Sequence, residues 1–263
     1  MKNLKVSVLI ANYNNQKYIE ECIGSIKNQT YQNIEIIFHD DSSSDNSIKY
    51  VNKLKNIKNI KIIKNKKKTK VGSYNQINAY QRAFGKSTGD IIFFLDSDDF
   101  FHKDKIKKII EIFTKDKKLI SIFDLPILKY NEKLSYKKDK KKFVKNFWPY
   151  IPPQSCISIR RKDFKEMINS INFFLFPDIW MDFRIALYLN YIKNNFFVLN
   201  KNLTYYRQTK NNISSNFSYC SLNWWKRRLQ AHRFTKFFLL KNDIFYKKNF
   251  DYYLTRLVNL FIK

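Results

Sequence analysis

Short apolar runs alternate with segments of helical length through the first hundred residues, and this alternation constrains the fold more than any other feature. The runs are KVSVLIA at Lys5–Ala11, IEIIFHD at Ile34–Asp40, NIKIIK at Asn59–Lys64 and DIIFFLD at Asp90–Asp96. Strands separated by helix-length segments indicate a parallel sheet with crossover helices. The last run is apolar on both faces, as expected at the centre of a sheet. The sequence therefore predicts an α/β protein.

The segments between the apolar runs predict the crossover helices. Lys17–Asn28 follows the first run, a helix that ends near Leu54 follows the second, and Gly72–Lys86 precedes the fourth. Ser44 and Asp45 suit the start of the second helix, because their side chains accept bonds from its first free backbone N–H groups. We expect a mostly parallel sheet flanked by helices.

Polar residues stand where three of the predicted strands end. Asn12 follows the first strand, Asp41 follows the second and Asp96 closes the fourth. Open α/β sheets bind ligands beyond the carboxyl ends of their strands. We therefore expect these three side chains to converge on one crevice.

The pattern is looser after residue 116. We expect a mobile loop or surface excursion at Lys133–Lys145, a strand at Ser155–Arg161 and a helix capped by Asp163. A helix at Asp178–Tyr191 and two helices rich in aromatic and basic residues from Ser221 onward should follow. The helix at 178–191 is the strongest of these predictions, because its apolar residues recur at helical spacing.

The charge balance constrains the partners. Fifty Lys and Arg against 22 Asp and Glu give a net charge of +28. Such a surface attracts nucleic acid, anionic lipid or phosphorylated ligands, and it is equally consistent with a solvated basic face. The three cysteines are far apart, which argues against a disulfide framework or zinc site and favours a reducing, cytoplasmic compartment. Apolar runs are too short for a signal peptide or a membrane span.

An acidic cluster, Asp96-Ser97-Asp98-Asp99, directly follows the fourth predicted strand. Carboxylates crowded at one sheet edge repel one another, and a hard divalent cation such as Mg²⁺ or Mn²⁺ resolves that repulsion. An acidic N-terminus for a helix at His102–Lys115 explains the same residues equally well. Both interpretations stay open on this motif alone.

Two further motifs point to a nucleotide. The run Asp40-Asp41-Ser42-Ser43-Ser44-Asp45 ends the second strand, where an Asp carboxylate is able to accept the imide N–H of a uracil. Asn12-Tyr13-Asn14 ends the first strand and offers a ring to cover a base and amides to bond it. Each motif taken singly is an ordinary turn or helix cap.

Together these motifs resemble one known family. VSVLIANYNNQKYIEECIGSIKNQTYQNIEIIFHDDSSSDNS, followed by STGDIIFFLDSDDF, resembles the donor-binding half of glycosyltransferase family 2, whose members are inverting enzymes with the GT-A fold. The resemblance covers residues 5–101 and rests on three separated motifs in the family's order. It implies a GT-A type, Rossmann-like sheet with a helical C-terminal appendage.

The resemblance also implies roles for individual residues. It implies a nucleotide-sugar donor, UDP-linked by family analogy, and Mn²⁺ or Mg²⁺ as cofactor. The donor-binding residues it implies are Ala11, Asn12 and Tyr13 at the base, Asp41 bonded to the base, and Asp96 and Ser97 at the ribose side of the site. Asp98 would coordinate the metal that bridges the diphosphate, as the second Asp of a DxD motif.

The acceptor half matches the family more loosely. PDIWMDFRIALYL resembles the family's acceptor-side segment, and alignment on Arg184 places the catalytic Asp at Asp178, with Asp182 as the substitute. Its role would be to take a proton from the acceptor hydroxyl as a general base. An acidic residue at a helix N-terminus is the alternative interpretation of Asp178.

Two departures from the family pattern stand in this half. Pro177 replaces the family's usual Glu before the catalytic Asp, and Thr209 replaces the usual His in YRQTKNNIS. Metal affinity would be weaker as a result, with Arg207 or Lys210 supplying positive charge. Arg82 and Lys70 are the candidates for the family's diphosphate-binding basic residue.

We expect a catalytic domain at residues 1–215, with a donor half at 1–101 and an acceptor half at 102–215, before basic aromatic helices at 216–263. These helices suit either packing on the domain or peripheral contact with the inner face of a membrane. Family analogy implies a capsule or lipooligosaccharide role and a glycan or lipid-linked glycan acceptor. The alternative is a non-enzymatic nucleic-acid-binding protein, which leaves the acid cluster unexplained and lacks a recognisable motif.

Overall fold

The structure is a computed structural model that describes residues 3–54, 59–136, 148–149, 151–171, 174–209 and 217–262. Its strands are β1 (Val6–Asn12), β2 (Ile34–Asp40), β3 (Ile60–Lys64), β4 (Ile91–Asp96), β5 (Phe100–Phe101), β6 (Ser121–Tyr130), β7 (Lys133–Tyr136), β8 (Ile157–Arg160) and β9 (Phe196–Arg207). Its helices are α1 (Ile19–Lys27), α2 (Ser47–Lys53), α3 (Gly72–Lys86), α4 (Lys105–Lys115), α5 (Arg161–Ser170), α6 (Met181–Leu187), α7 (Leu222–Lys241) and α8 (Phe250–Leu260).

One sheet organises the described part of the chain. Its strand order is β3-β2-β1-β4-β8-β6-β9-β5, and β7 pairs with β6 outside that path. The first four strands are parallel, with β1 between β2 and β4. β8 runs antiparallel to both β4 and β6. The α/β fold with a mostly parallel sheet flanked by helices is therefore confirmed.

The core lies in two layers, one on each face of the sheet. Alternate residues of β4 separate into these layers, since Ile92 and Phe94 belong to one cluster and Phe93 and Leu95 to the other. This is the period of two that a strand requires. The five apolar side chains of β4, Ile91 to Leu95, are fully buried, which explains why DIIFFLD is apolar on both faces.

Helices α7 and α8 pack on the same core. Ala231, Phe234, Phe238 and Leu239 of α7 are buried in the cluster that contains the sheet residues Leu9, Ile37 and Phe94. The two predicted C-terminal helices are present, and α7 packs against α6 and the turn before it, where Phe234 contacts the rings of Phe183 and Phe176. None of the helices in the described ranges combines the length and apolar character that crossing a bilayer requires.

Several boundaries differ from the predictions. The helix expected at Asp178–Tyr191 begins at Met181, and its last part, Tyr188–Lys193, is a π-helix. The predicted cap of α5 was wrong, because Arg160 precedes the helix and Asp163 lies inside its first turn. α4 begins at Lys105 instead of His102, since the short strand β5 and a turn occupy the residues before it.

The long strands of the second half were not predicted. β6 and β9 pair in parallel over most of their length and build the part of the sheet beyond β8. The prediction of a mobile loop was wrong for the first part of Lys133–Lys145, because Lys133–Tyr136 forms β7 and pairs with β6. The rest of that predicted loop lies outside the described residues.

Candidate functional site

The carboxyl ends of β1, β2 and β4 meet at one edge of the sheet. Asp41 N donates to the carbonyl of Asn12 at 2.8 Å, and Ser97 N donates to the carbonyl of Ala11 at 3.2 Å. β1 therefore links the β2 end and the β4 end directly. The predicted convergence of Asn12, Asp41 and Asp96 on one edge is observed.

The loops after β1 and β2 are joined by side-chain hydrogen bonds. Asn12 Nδ2 donates to Asp40 Oδ1 at 2.7 Å and to Ser43 Oγ at 3.1 Å. Asn14 adopts a left-handed backbone with φ of 51° and accepts at Oδ1 from Ser44 N at 2.8 Å. Asn12 is buried, and these bonds commit its amide N–H groups to holding the loops together.

Tyr13 is the exposed ring at this edge. Its side chain is 42% exposed, and Lys68 Nζ lies 3.2 Å from the ring centroid. One face of the ring therefore carries a cation, held there by attraction to the ring's π-electrons. A base that stacks on that face has to displace Lys68 first.

Asp41 is held by a chain of polar side chains. Asn65 Nδ2 donates to Asp41 Oδ1 at 2.8 Å, and Arg82 donates to Asn65 Oδ1 at 2.9 Å. Asp41 is buried, so this bond fixes the orientation of its carboxylate. Arg82, a predicted candidate for binding the diphosphate, is tied to Asp41 through Asn65.

Asp96 is fixed by helix α3. Gln76 Nε2 donates to Asp96 Oδ1 at 2.8 Å, and the Tyr80 hydroxyl donates to the same oxygen at 2.7 Å. Burial raises the pKa of the Asp96 carboxyl, and the bonds from Tyr80 and Gln76 oppose that rise. Ser97 Oγ accepts from Asn15 Nδ2 at 2.8 Å, which ties the acid cluster to the loop after β1.

The remaining acids of the cluster lie close together. Burial and the neighbouring Asp96 charge raise the pKa of the Asp98 carboxyl to about 7. Burial and the charges of Asp98 and Asp96 raise the pKa of Asp99 well above its usual range. The common cause is negative charge gathered where water screens it poorly. A cation at this position would relieve the repulsion.

The donor set suits a divalent cation that also takes ligands from its substrate. Among the described residues, no group of three His, Cys, Asp or Glu side chains forms a metal site by itself. Mg²⁺ and Mn²⁺ sites of nucleotide enzymes use one or two carboxylates and complete the shell with phosphate oxygens and water. Asp98, beside Asp96, fits that chemistry.

A buried network supports the cluster from beneath. Asp99 accepts from Ser155 Oγ at 2.5 Å and from Arg207 N at 2.8 Å. Lys105 Nζ donates to the Ser155 carbonyl at 2.6 Å and forms an ion pair of 2.8 Å with Asp124, both side chains fully buried. Sequence analysis missed this network, since a Lys in the first turn of α4 gives no sign of burial.

Arg207 lies beside the acid cluster, where its backbone N–H donates to Asp99. Its guanidinium pairs with Glu21 of α1 and stacks on the Tyr18 ring, 4.3 Å from the centroid. Its charge lowers the pKa of Asp98, against the larger effect of burial. Arg207 therefore supplies positive charge near Asp98. This agrees with the prediction made from the replacement of the family's usual His by Thr209. Lys210 lies outside the described residues.

Asp178 stands in the turn before α6 and meets helix α7. Gln230 Nε2 donates to Asp178 Oδ2 at 2.6 Å. One turn earlier on α7, Arg227 stacks 3.8 Å from the ring centroid of Trp180, and its charge acts on both Asp178 and Asp182. α7 therefore contributes side chains to the surroundings of both Asp178 and Asp182. Sequence analysis missed these contacts, because Gln230 lies 52 residues after Asp178.

Asp182 lies close enough to Asp96 for the two carboxylates to interact. Burial raises the pKa of its carboxyl to about 7, and the Asp96 charge adds to that rise. Two contacts lower the pKa of Asp182: the Phe183 backbone N–H, which donates to Asp182 Oδ1 at 2.7 Å, and the charge of Arg227. This acid group is therefore poised to exchange a proton near neutral pH.

We expect Asp182→Asn to stabilise the protein at about pH 8. Because the folded pKa near 7 exceeds the ordinary 3.8, the folded protein binds more protons than the unfolded chain between these values. Stability therefore falls as pH rises through that window. Removing the acid should raise the unfolding midpoint by about 2–4 °C at about pH 8, with the gain shrinking towards about pH 4. A gain that grows on acidification contradicts this.

Arg184 holds the turn that carries Asp178. It is fully buried, and it donates from Nε to the Ile179 carbonyl at 3.0 Å and from NH2 to Leu175 and Phe176 carbonyls at 3.0 and 2.8 Å. Burial lowers the pKa of its guanidinium to about 10, so it stays charged at neutral pH. The residue that aligned this segment with the family thus positions Asp178.

We expect Arg184→Met to destabilise the protein by about 3 kcal/mol, because it strips donors from several buried carbonyls. That loss corresponds to a fall in unfolding midpoint of about 6–12 °C. The matched control is Arg233→Met, which removes an exposed Arg from α7 and should shift the midpoint by under about 2 °C. Equal falls in the unfolding midpoint of the two variants would show that the hydrogen bonds of Arg184 do not stabilise the protein.

A mostly parallel α/β sheet with polar residues and clustered acids at its strand ends defines a class of nucleotide-binding proteins. Comparison with known proteins is more specific. The family model described as Glycosyl transferase family 2 matches residues 7–176, which is more than half of the chain. The chain belongs to glycosyltransferase family 2.

Named relatives support the assignment. An uncharacterised glycosyltransferase of Nostoc sp. is 29% identical over 218 residues, covering 78% of this chain and 65% of the relative. The Escherichia coli enzyme UDP-Glc:alpha-D-GlcNAc-diphosphoundecaprenol beta-1,3-glucosyltransferase WfaP is 35% identical over 116 residues, 44% of each chain. The chain thus spans less than two thirds of the length of these relatives.

Solved structures share the fold. Staphylococcus aureus TarS 1-349, in complex with UDP-GlcNAc, superposes with a TM-score of 0.64 at 20% identity, covering 90% of this chain and 67% of TarS. The mannosyltransferase PcManGT of Pyrobaculum calidifontis was solved in complex with GDP-Man and Mn²⁺. It superposes with a TM-score of 0.62 at 13% identity, covering 98% of this chain and 70% of PcManGT. At these identities the likeness establishes the GT-A fold.

Proposed function

We propose that this protein is a metal-dependent, inverting glycosyltransferase that moves a sugar from a nucleotide sugar, UDP-linked, to a hydroxyl of a growing surface glycan. The observation that carries the proposal is the meeting of three strand ends, which brings Asp41, Asp96 and Asp98 to one edge of the sheet. Family membership supplies the reaction class.

The donor is proposed to lie across these strand ends. The Asp41 carboxylate, oriented by Asn65, would accept the uracil imide N–H. The Tyr13 ring would cover the base once Lys68 moves aside. Asp96, fixed by Gln76 and Tyr80, would accept a ribose hydroxyl, with Ser97 and Ala11 forming the adjoining backbone.

Asp98 is proposed to hold the metal, with Asp96 beside it. Bound there with the donor diphosphate, Mn²⁺ or Mg²⁺ would supply positive charge that stabilises the departing nucleoside diphosphate. Arg207 lies close enough to lower the pKa of Asp98, so it adds to the positive potential on that side. One relative in fold was solved with Mn²⁺ and GDP-Man, which supports divalent metal use.

Asp178 is proposed as the general base. Its carboxylate is only partly buried and is oriented by Gln230, so an acceptor hydroxyl is able to approach the remaining oxygen. Taking the hydroxyl proton lets that oxygen attack the anomeric carbon opposite the leaving nucleotide, which inverts the configuration. Arg227 keeps negative charge favourable on this side, because it acts on Asp178 and Asp182 together.

The acceptor is proposed to be a glycan or a lipid-linked glycan. The name of WfaP describes a diphosphoundecaprenol-linked acceptor, and a chondroitin synthase of Pasteurella multocida is 33% identical over 118 residues. A role in surface-glycan synthesis, as in capsule or lipooligosaccharide, fits an acceptor of this kind. A lipid-linked acceptor places the enzyme at the inner face of the membrane, with residues 221–263 available for peripheral contact.

The family assignment argues against the alternative of a nucleic-acid-binding protein, which rested on the +28 charge.

A panel of nucleotide-sugar donors tests the proposed enzyme activity. Release of nucleoside diphosphate from UDP-glucose, UDP-GlcNAc and GDP-mannose is measured with and without Mn²⁺. We expect slow hydrolysis of a UDP-sugar only with the metal. Hydrolysis of none of the three, together with no nucleotide-dependent rise in melting temperature, contradicts the proposal.

A further inference from the structure

Helix α8 presents its polar and aromatic groups to α7. Asp251 accepts from Arg228 Nε at 2.9 Å and from Trp148 Nε1 at 3.1 Å, and it meets His232 Nε2 at 2.8 Å. Burial opposes ionisation of Asp251, but the bonds and charge of Arg228 lower the pKa of this carboxyl. Tyr252 is buried on the same side. The inner face of α8 is therefore firmly docked.

The outer face of α8 is apolar and exposed. Its residues lie at i, i+3, i+7 and i+10, which is one continuous stripe along a helix. The side chains of this stripe are between 54% and 80% exposed: Phe250, Tyr253, Leu257 and Leu260. Phe245 and Phe261 extend the apolar surface beyond each end of the helix. Soluble helices normally show the reverse arrangement, so this face is built to be covered.

Basic residues border this stripe. Lys247 and Lys248 precede the helix and Arg256 lies along it, all with exposed side chains. Between residues 244 and 262 the sequence holds one acid, Asp251, which is bonded to Arg228 and His232. An apolar stripe with a purely cationic border complements a surface that is apolar inside and anionic at its boundary.

Helix α7 adds to the cationic character. Residues 222–241 contain six Lys and Arg and no Asp or Glu. Arg233 and Lys236 are exposed there beside the exposed apolar residues Phe237 and Leu240. The α7–α8 pair therefore combines exposed aromatic and aliphatic side chains with exposed positive charge.

We propose that the outer face of α8, defined as Phe250, Tyr253, Leu257 and Leu260 with Lys247, Lys248 and Arg256, binds the surface of an anionic lipid bilayer. The apolar stripe enters the boundary between headgroups and acyl chains, and the basic residues contact phosphate headgroups. Membrane binding would bring the enzyme to the lipid-linked acceptor proposed above. Only this purpose rests on the proposed function; the binding itself does not.

Charge favours a membrane over a second copy of the chain. In a two-fold dimer each face meets its own copy, so Arg256, Lys247 and Lys248 would gather near their equivalents. Like charges brought together in that way oppose association. Anionic headgroups pair with the same residues.

Flotation of the full chain with vesicles tests the proposal. The probe vesicles contain phosphatidylglycerol and phosphatidylethanolamine, and the comparison vesicles contain phosphatidylcholine alone. The variant Phe250→Gln, Leu257→Gln, Leu260→Gln replaces three of the four stripe residues but keeps the net charge and the helix-forming tendency. We expect the native chain to bind the anionic vesicles and the variant to bind at least about tenfold less.

A matched control removes exposed apolar residues elsewhere. Leu134→Gln with Tyr136→Gln changes β7, whose side chains are similarly exposed, and should leave vesicle binding within about twofold. Because the charge is the same in all variants, general attraction of a basic protein cannot account for a selective loss. Circular dichroism and the melting temperature with UDP and Mn²⁺ show whether the variant is folded and binds donor.

The remaining outcomes overturn the proposal. Equal binding by the native chain and the stripe variant would show that the α8 face is not used. Equal binding to phosphatidylcholine would remove the anionic headgroups from the account. A concentration-dependent dimer on gel filtration, abolished in the stripe variant, would make the face a protein interface. Vesicle binding needs no donor, so it succeeds or fails independently of the transferase proposal.

Discussion

Asp178→Asn is expected to lower sugar transfer by about a thousandfold while leaving UDP affinity within about twofold. The substitution keeps an oxygen that accepts from Gln230 Nε2, so the turn before α6 should stay in place. What is lost is the capacity to take a proton from the acceptor hydroxyl. Turnover of a UDP-sugar with an acceptor, and calorimetric titration with UDP, measure the two effects separately.

Two variants locate the base more exactly. Asp182→Asn removes the neighbouring acid and should lower transfer by less than about tenfold, since its role would be electrostatic. Gln230→Leu removes the bond to Asp178 and should lower the rate about tenfold without changing UDP affinity. A greater loss from Asp182→Asn than from Asp178→Asn would move the base to Asp182.

Asp98→Asn is expected to lower transfer by about a hundredfold to a thousandfold and to abolish the effect of Mn²⁺ on UDP binding. Replacing the carboxylate removes the anionic ligand that draws the cation into the cleft. The measurements are turnover and melting temperature with UDP, each across a range of Mn²⁺ concentration. The control is Asp243→Asn, an exposed acid in the turn after α7. Retained Mn²⁺ dependence in Asp98→Asn would remove Asp98 from the metal role.

The donor half was predictable because its pattern is local. Apolar runs of five to seven residues became β1 to β4 with bounds within one residue of those expected, and the helix at Gly72–Lys86 was exact. Strand order then places the carboxyl ends of β2 and β4 on either side of β1. The convergence of Asp41 and Asp96 follows from that order and needs no knowledge of side-chain contacts.

The acceptor half was less predictable because its contacts are distant in sequence. Paired residues of β6 and β9 lie 75 to 78 positions apart, and neither strand alternates polar and apolar residues cleanly. Gln230 meets Asp178 from a helix 52 residues later, which no local pattern reveals. The burial of Lys105 beside Asp124 depends on the same long-range packing.

The exposed stripe of α8 illustrates a different limit of sequence analysis. The periodicity of Phe250, Tyr253, Leu257 and Leu260 indicates one apolar face and says nothing about its direction. The direction follows from Asp251, whose bonds to Arg228 and His232 turn the opposite face towards α7. A single half-buried carboxylate thus decides which side of the helix meets the surroundings.

Calorimetric titration of UDP in the presence of Mn²⁺ tests the central claim most directly, because Asp41 and Asp98 stand at the ends of different strands. If one cleft holds one nucleotide and one cation, Asp41→Asn and Asp98→Asn each weaken the same binding event by at least about tenfold. UDP binding that neither substitution alters would place the nucleotide elsewhere and contradict the account.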